Sequence, residues 1–341
     1  MNKLAVVILN WNGQKLLEEF LPSVIRYSDE ADIYVADNCS SDNSLLFLKK
    51  EYPTIQIIKN DKNYGFAEGY NKALKSVPNE LVLLLNSDIE VTDDWLSPLI
   101  TAMRDPNIAG CQPKILSYNE RELFEHAGAS GGFLDRNYFP FCRGRIFDHS
   151  ETDYHQYQDQ REIFWATGAA MLIRKEIFDR AGGFDADFFA HMEEIDLCWR
   201  IKKMGYSFQV VPASVVYHLG GGTLPYSSPR KVYLNFRNNL MMLIKNHSGI
   251  LAPKLFWRMS LDGIAALRFL LRGEFKNFTA VFKAHMYQYA NIRTLLNKRK
   301  TIKKGAQNEN NAGLFNGSII WNYYVKKVNR FSELNQRLFK K

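Results

Sequence analysis

Five carboxylates, Asp185, Asp187, Glu193, Glu194 and Asp196, are crowded into GGFDADFFAHMEEIDLCWRIKKMG (182–205), interleaved with Phe184, Phe188, Phe189, His191 and Trp199. An acidic first turn that complements a helix dipole, with Asp196 and Arg200 paired four residues apart, accounts for part of this pattern. It does not account for two adjacent glutamates beside an apolar run. Successive helical residues point about 100° apart, so Glu193 and Glu194 cannot face one point; one suits a base and the other a positioner. A carboxyl group partly desolvated by Phe188 and Phe189 holds its proton more tightly, as a general base acting on a hydroxyl must.

A second cluster, Asn86-Ser87-Asp88, follows the purest apolar run of the chain, Leu81 to Leu85. An aspartate held rigidly at the end of a buried strand suits a divalent ion, since Mg²⁺ takes one or two protein carboxylates and completes its shell with phosphate oxygens and water. Capping of the next helix is an equal alternative for Asp88. His218, after Val215-Val216-Tyr217, is on its own a structural histidine; if Asp88 holds a metal, it is a natural second ligand. Asp37, in Asp37-Asn38-Cys39-Ser40-Ser41-Asp42, could form an Asx turn or accept the imide N–H of a pyrimidine. The glycines of Asn63 to Asn71 open a helix to close approach by phosphate or ribose. No GxSxG, HExxH or GxxxxGK[ST] occurs, which removes common hydrolases and Walker-type phosphate binding.

The elements that must carry these groups follow from periodicity. Runs at 4–9, 33–36, 55–58 and 81–85 read as strands, and 14–26, 43–50, 67–76 and 93–103 as helices, giving a parallel sheet covered on both faces. Ligands of such sheets sit at the carboxyl ends of the strands, where all four polar clusters fall. Residues 128–162 suggest hairpins or a loop lid. A strand at 169–173, a helix at 190–204, strands at 208–211 and 215–218, and the flexible Gly220 to Gly222 follow. Beyond these the chain reads as helical, apart from a polar stretch at 303–318.

Of 341 residues, 46% are hydrophobic and 23% charged, a globular composition that excludes disorder and coiled coil. No apolar run approaches the ~20 residues of a membrane span. The start, Lys3 with 4–9, imitates a signal peptide but is short and lacks a cleavage site, so it reads as a buried strand. Cys39, Cys111, Cys142 and Cys198 form no CxxC pair, pointing to a reducing cytosol without zinc or disulfide framework. Charge divides the chain: residues 223–341 hold 22 Lys+Arg against 4 Asp+Glu, and residues 1–222 hold 22 against 32. Such a rear meets phospholipid, a phosphorylated substrate or nucleic acid. In it, Leu255 to Leu271 offers Phe256, Trp257 and Phe269 to a headgroup boundary, with Arg258, Arg268 and Arg272 reaching anionic lipid. Packing against the rest of the protein or a second subunit is the alternative.

Taken in order, VVILNWNG (6–13), ADNCSSDNS (36–44), NYGFAEGYN (63–71), LLLNSDIE (83–90), TGAAMLIRKE (167–176) and GGFDADFFAHMEEIDLCWR (182–200) closely resemble the inverting family 2 glycosyltransferases of the GT-A fold, in particular the rhamnosyltransferase-like branch. The resemblance spans residues 1–220. It implies an α/β fold: a Rossmann-like GT-A nucleotide-diphospho-sugar transferase domain over 1–222, with a basic, mainly helical extension over 223–341. Asn10 and Asp37 would then bind the base end of the nucleotide, with Asn63 and Gly65 lining the same pocket. Asp88 takes the last position of the family's DxD metal motif and Asn86 replaces its first aspartate. Glu193-Glu194 occupies the family's Glu-Asp pair, whose second member is the base, and His218 matches a metal-ligand histidine found in many members. Gly168 and Ala169 would sit near the acceptor.

The implied cofactor is Mg²⁺ or Mn²⁺, and the implied donor a UDP- or dTDP-sugar. The acceptor would be a glycan or lipid-linked oligosaccharide of surface polysaccharide synthesis, met by a cytoplasmic enzyme peripheral to the inner face of an anionic membrane. An oligomer is left open. The rival is an inactive GT-A-fold scaffold at the membrane, against which intact Asp88, Glu194 and His218 argue. Nucleic-acid binding by the basic rear lacks a recognisable aromatic module.

Overall fold

Strand β1 (Leu4–Asn10) is buried on both sides, Val6 and Ile8 facing one layer and Ala5 and Val7 the other. A continuous apolar run of this kind is what a parallel strand between two helical layers requires. A computed structural model, describing residues 3–125, 128–220 and 228–340, places it inside a nine-stranded sheet. β1 pairs in parallel with β2 (Ala31–Asp37), which pairs with β3 (Gln56–Lys59), and on its other side with β4 (Leu81–Asn86). Crossover helices α1 (Gln14–Arg26), α2 (Ser44–Glu51) and α3 (Gly65–Ala73) cover the faces. Leu17, Leu21 and Val24 of α1 bury against one face, and Ala67, Tyr70 and Ala73 of α3 against the other.

After β4 come β5 (Ile89–Val91), α4 (Leu96–Ala102) and the ten-residue β6 (Ile108–Ser117). The sequence pattern hides β6, because Gly110, Gln112, Pro113 and Lys114 interrupt its apolar character. Residues 132–150 form β7 (Gly132–Asp135), β8 (Pro140–Cys142), β9 (Arg145–Ile146) and β10 (His149–Ser150), antiparallel hairpins of a second sheet. Phe133, Leu134 and Ile146 are buried, so of the two expectations for this region the hairpins are found, packed into the core. β11 (Arg161–Ile163), β12 (Ala170–Arg174), α5 (Lys175–Arg180), α6 (Glu193–Lys203) and β13 (Ser207–His218) complete the domain. The large sheet runs β11-β13-β6-β12-β4-β1-β2-β3, with β5 against β13. The two strands expected at 208–218 are one, with a register shift between Val211 and Val215.

The basic rear folds as α7 (Pro229–Asn246), α8 (Leu251–Leu271) and α9 (Phe275–Gly305), then β14 (Leu314–Phe315), which joins β7 in parallel. Residues 306–318 are turns and irregular backbone around β14, within the polar stretch expected at 303–318, and beyond them the expected helix is present only as short turns, Trp321–Val325, Phe331–Glu333 and Gln336–Leu338. Gly221 and Gly222, and with them the 222/223 boundary, lie outside the described residues. No described helix is long and apolar enough to cross a membrane. All four cysteines are free.

Candidate active site

At the carboxyl end of β1, Asn10 Nδ2 donates to Asp37 Oδ1 (3.0 Å) and Ser40 Oγ (3.2 Å), while Asp37 Oδ2 accepts from the Ser40 N–H (2.9 Å). Both Asn10 and Asp37 are buried. Asn38, not singled out in the sequence, ties three loops together. Its Nδ2 donates to Asn63 Oδ1 (3.1 Å) and Gly65 O (2.9 Å), and its Oδ1 accepts from Asn60 Nδ2 (3.1 Å). Gly65 has φ +72, and a Cβ there would lie 2.9 Å from the Phe189 ring, so only glycine fits. The Phe66 N–H donates to Phe189 O (3.1 Å), joining this pocket to the loop before α6.

The ends of β4 and β13 meet at the second cluster. His218 Nε2 lies 3.1 Å from Asp88 Oδ1 and 3.4 Å from Asn86 Nδ2. Its Nδ1 lies 3.2 Å from Glu125 Oε2, a carboxylate that sequence reading missed because it lies in no motif. Burial opposes a charge on His218, but Asp88 and Glu125 outweigh it and raise its pKa to about 10. Among the described residues no three His, Cys, Asp or Glu side chains converge on one point. Asp88 and, once it releases its proton, the His218 imidazole would still fit Mg²⁺ or Mn²⁺ in a site where diphosphate and water fill the shell. Glu125 behind Nδ1 stands where an outer carboxylate would orient a ligating imidazole.

Asn86 also links this cluster to the third, its N–H donating to Ala169 O (2.9 Å). A Cβ on the neighbouring Gly168 would lie 2.8 Å from the Phe66 ring and 3.7 Å from Glu194 Cβ. Glu193 is buried and Glu194 partly so, and each has one enclosed carboxylate oxygen without a hydrogen-bond partner. Burial raises the pKa of Glu194 to about 7; burial and the adjacent Glu194 charge raise that of Glu193 well above the usual range. The aromatic surroundings differ from the expectation. Phe188 lies under the Lys245 ammonium (4.7 Å) and Phe189 covers Gly65, while Glu194 stands beside Gly168. His191, half-buried and with an enclosed, unpartnered Nε2, stays neutral because desolvation pushes its pKa down to about 4.

Phe189, His191 and Met192, just before the pair, have φ of 63°, 71° and 72°. Side chains there are strained by about 1–3 kcal/mol each and need external support. The rear helices supply it. Asn238 of α7 donates to the carbonyls of Phe188, Ala190 and His191 (3.1, 2.8 and 2.7 Å), and Arg237 to those of Asp187 and Phe188 (both 2.9 Å). Lys245 bridges Asp185 (2.6 Å) and Asp196 (2.9 Å), and Lys298 of α9 bridges Asp185 and Asp187 (both 2.7 Å). Despite burial, these cations hold Asp185 well below the usual carboxylate range. The expected Asp196–Arg200 pair is present at 2.8 Å. Asn238, Lys245 and Asn246 are buried on α7, a placement that their residue types in the sequence do not signal.

A parallel β3-β2-β1-β4 half-sheet, with polar clusters at its strand ends and an acidic pair at a helix start, defines a GT-A glycosyltransferase. The family model described as glycosyl transferase family 2 matches residues 5–182, and the chain belongs to that family. It is 21% identical to the N-acetylglucosaminyl-diphospho-decaprenol L-rhamnosyltransferase of Mycobacterium tuberculosis, over 89% of this chain and 98% of that protein. It is 25% identical to the low-salt glycan biosynthesis hexosyltransferase Agl10 of Haloferax volcanii, over 71% and 75%. In fold it resembles a mannosyltransferase from Pyrobaculum calidifontis solved with GDP-Man and Mn²⁺, with TM-score 0.52 and 15% identity over 89% of this chain and 85% of that one.

Proposed function

We propose that this glycosyltransferase moves one sugar from a UDP- or dTDP-linked donor to a hydroxyl of a lipid-linked glycan acceptor, inverting the anomeric centre in a single in-line displacement. The observation that carries this reading is the continuity of the site: Asp88 and His218 meet Asn86, Asn86 bonds to Ala169, and Glu194 stands beside Gly168. Asn10, Asp37, Asn63 and Gly65 would hold the nucleotide. Asp88 and His218 would hold Mg²⁺ or Mn²⁺, which neutralises charge on the departing diphosphate. Glu194 takes the proton of the acceptor hydroxyl near Gly168 and Ala169, and Glu193 positions it. A raised proton affinity makes Glu194 a better base than an ordinary carboxylate. The decaprenol named for the mycobacterial relative supports a lipid-linked acceptor, and a cytoplasmic enzyme held peripherally at the inner membrane face by its basic rear would meet it.

Purified protein offered UDP-, dTDP- and GDP-sugars with Mn²⁺ should turn over one donor. Turnover of none, with or without glycan acceptors, would favour the inactive scaffold instead.

The brace gives a separate expectation. Asn238→Ala removes its hydrogen bonds to the Ala190 and His191 carbonyls of a strained loop, while Phe188 O keeps Arg237, each loss costing about 1–3 kcal/mol. The melting temperature should fall, and kcat should drop by about tenfold or more, through misplacement of Glu194, while donor affinity by calorimetry holds. Unchanged kcat would show that the loop positions itself.

A further inference from the structure

Helix α8 is amphipathic in the reverse of the usual sense. Its inward face carries charge: Arg258 is buried, ion-paired to Asp262 and stacked on the Phe139 ring, and Asp262 also faces His285 of α9. Arg258 therefore cannot reach lipid as the sequence suggested, and Arg268 lies over the Tyr324 ring. The outward face is apolar. Phe256, Trp257, Ile264, Leu267 and Leu271 are exposed, Phe256 to 75% and Leu271 to 79%. At 3.6 residues per turn they form one stripe along the helix, opposite Arg258, Asp262 and Ala266. The other exposed positions from Ala252 to Leu271 are Ala252, Pro253, Ser260, Gly263 and Arg268, so within this span Arg268 is the one exposed charge. Across the turn into α9, Phe275 and Phe282 extend the exposed apolar surface.

An apolar stripe of this size marks a surface that leaves water in use. Its surroundings select the partner. Residues 229–305 hold 16 Lys+Arg against 2 Asp+Glu, and Arg272, Lys276 and Lys283 are exposed beside the stripe. A second copy docked through α8 would oppose two surfaces of the same sign, whereas anionic lipid would neutralise one. Trp and Phe flanked by Lys and Arg suit the headgroup boundary.

We propose that the outward face of α8 inserts into the interfacial zone of an anionic bilayer, parallel to its plane. This rests on the reading of an enzyme that works at a membrane surface and names the face that meets it. The test is sedimentation of the full-length protein with vesicles of phosphatidylglycerol and phosphatidylcholine, or of phosphatidylcholine alone. Wild-type protein should pellet with the anionic vesicles at low salt and progressively less as salt rises. Ile264→Glu with Leu267→Glu should cut partitioning by about tenfold or more, since each buried aliphatic side chain contributes at least that factor. Leu46→Glu, an exposed leucine on α2, should bind like the wild type. All three proteins should show the same melting temperature and the same vesicle-free donor turnover.

Anionic vesicles ignored by the wild type, or bound equally by the double variant, would overturn the proposal. A wild-type dimer that the double variant splits, without vesicle binding, would assign the face to a second copy. Absent donor turnover in all three would count against the catalytic reading alone, leaving the partitioning result to stand.

Discussion

Glu194→Gln is expected to reduce sugar transfer by about 10²–10⁴-fold while donor binding is retained, because only proton removal in the transition state is lost. Gln keeps the shape of the side chain beside Gly168. The pH dependence follows from the same burial. With its pKa near 7, Glu194 is protonated and idle in acid, so wild-type kcat/KM should rise through neutrality and level off above it. The sign for stability is the opposite. A carboxyl group whose proton is held more tightly folded than unfolded stabilises the fold below its unfolded pKa, and that contribution is lost as pH rises through the folded value. The Gln variant should therefore melt higher than the wild type at alkaline pH, with the difference vanishing near pH 4. A variant that is inactive yet more stable marks a group kept for chemistry at the expense of the fold. Greater damage from Glu193→Gln would reverse the roles of the pair.

Asp88→Ala is expected to remove the response to Mg²⁺ and Mn²⁺ and to lower transfer by at least ~10²-fold, since metal stabilisation of developing charge is worth several kcal/mol. The argument is local. Asp88 meets His218 at 3.1 Å, and among the described residues no third acidic or imidazole ligand stands by to replace it. The remaining imidazole keeps Glu125 behind it, so the fold around β13 has no reason to open. Titration calorimetry should show weaker binding of nucleotide sugar in Mn²⁺, and chelator should inhibit the wild type. Full wild-type activity in chelator would remove the metal role from both residues.

The sequence announces the parts of this site that sit at strand ends. Asn10, Asp37 and Asn86 follow uninterrupted apolar runs, and such runs mark buried parallel strands wherever they occur. β6 escapes the same reasoning because its side chains serve two environments, with Gln112 Oε1 accepting from the Thr167 N–H and Lys114 paired to Asp153. Glu125 escapes because its partner lies about ninety residues away and no local pattern links them. For α8, composition reveals a basic, apolar helix but not which face turns inward. Only the position of Asp262 under Arg258 decides that, and it reverses the orientation that periodicity with arginine would favour. The brace is hidden for a related reason: its lysines and asparagines look like ordinary solvated residues until Asp185 and Asp196 are placed beneath them.

That brace sets an order of events during synthesis. A ribosome that has completed residues 1–220 has already made Asp88, Glu194 and His218, yet none of the four side chains that hold the loop before Glu193. Lys298, the last of them, arrives more than a hundred residues after Glu194. Domains otherwise fold from the amino end as they emerge. Here the sheet can form early while the acidic pair waits, and in a nascent or prematurely ended chain the proposed base would not yet be held in place beside the proposed nucleotide pocket.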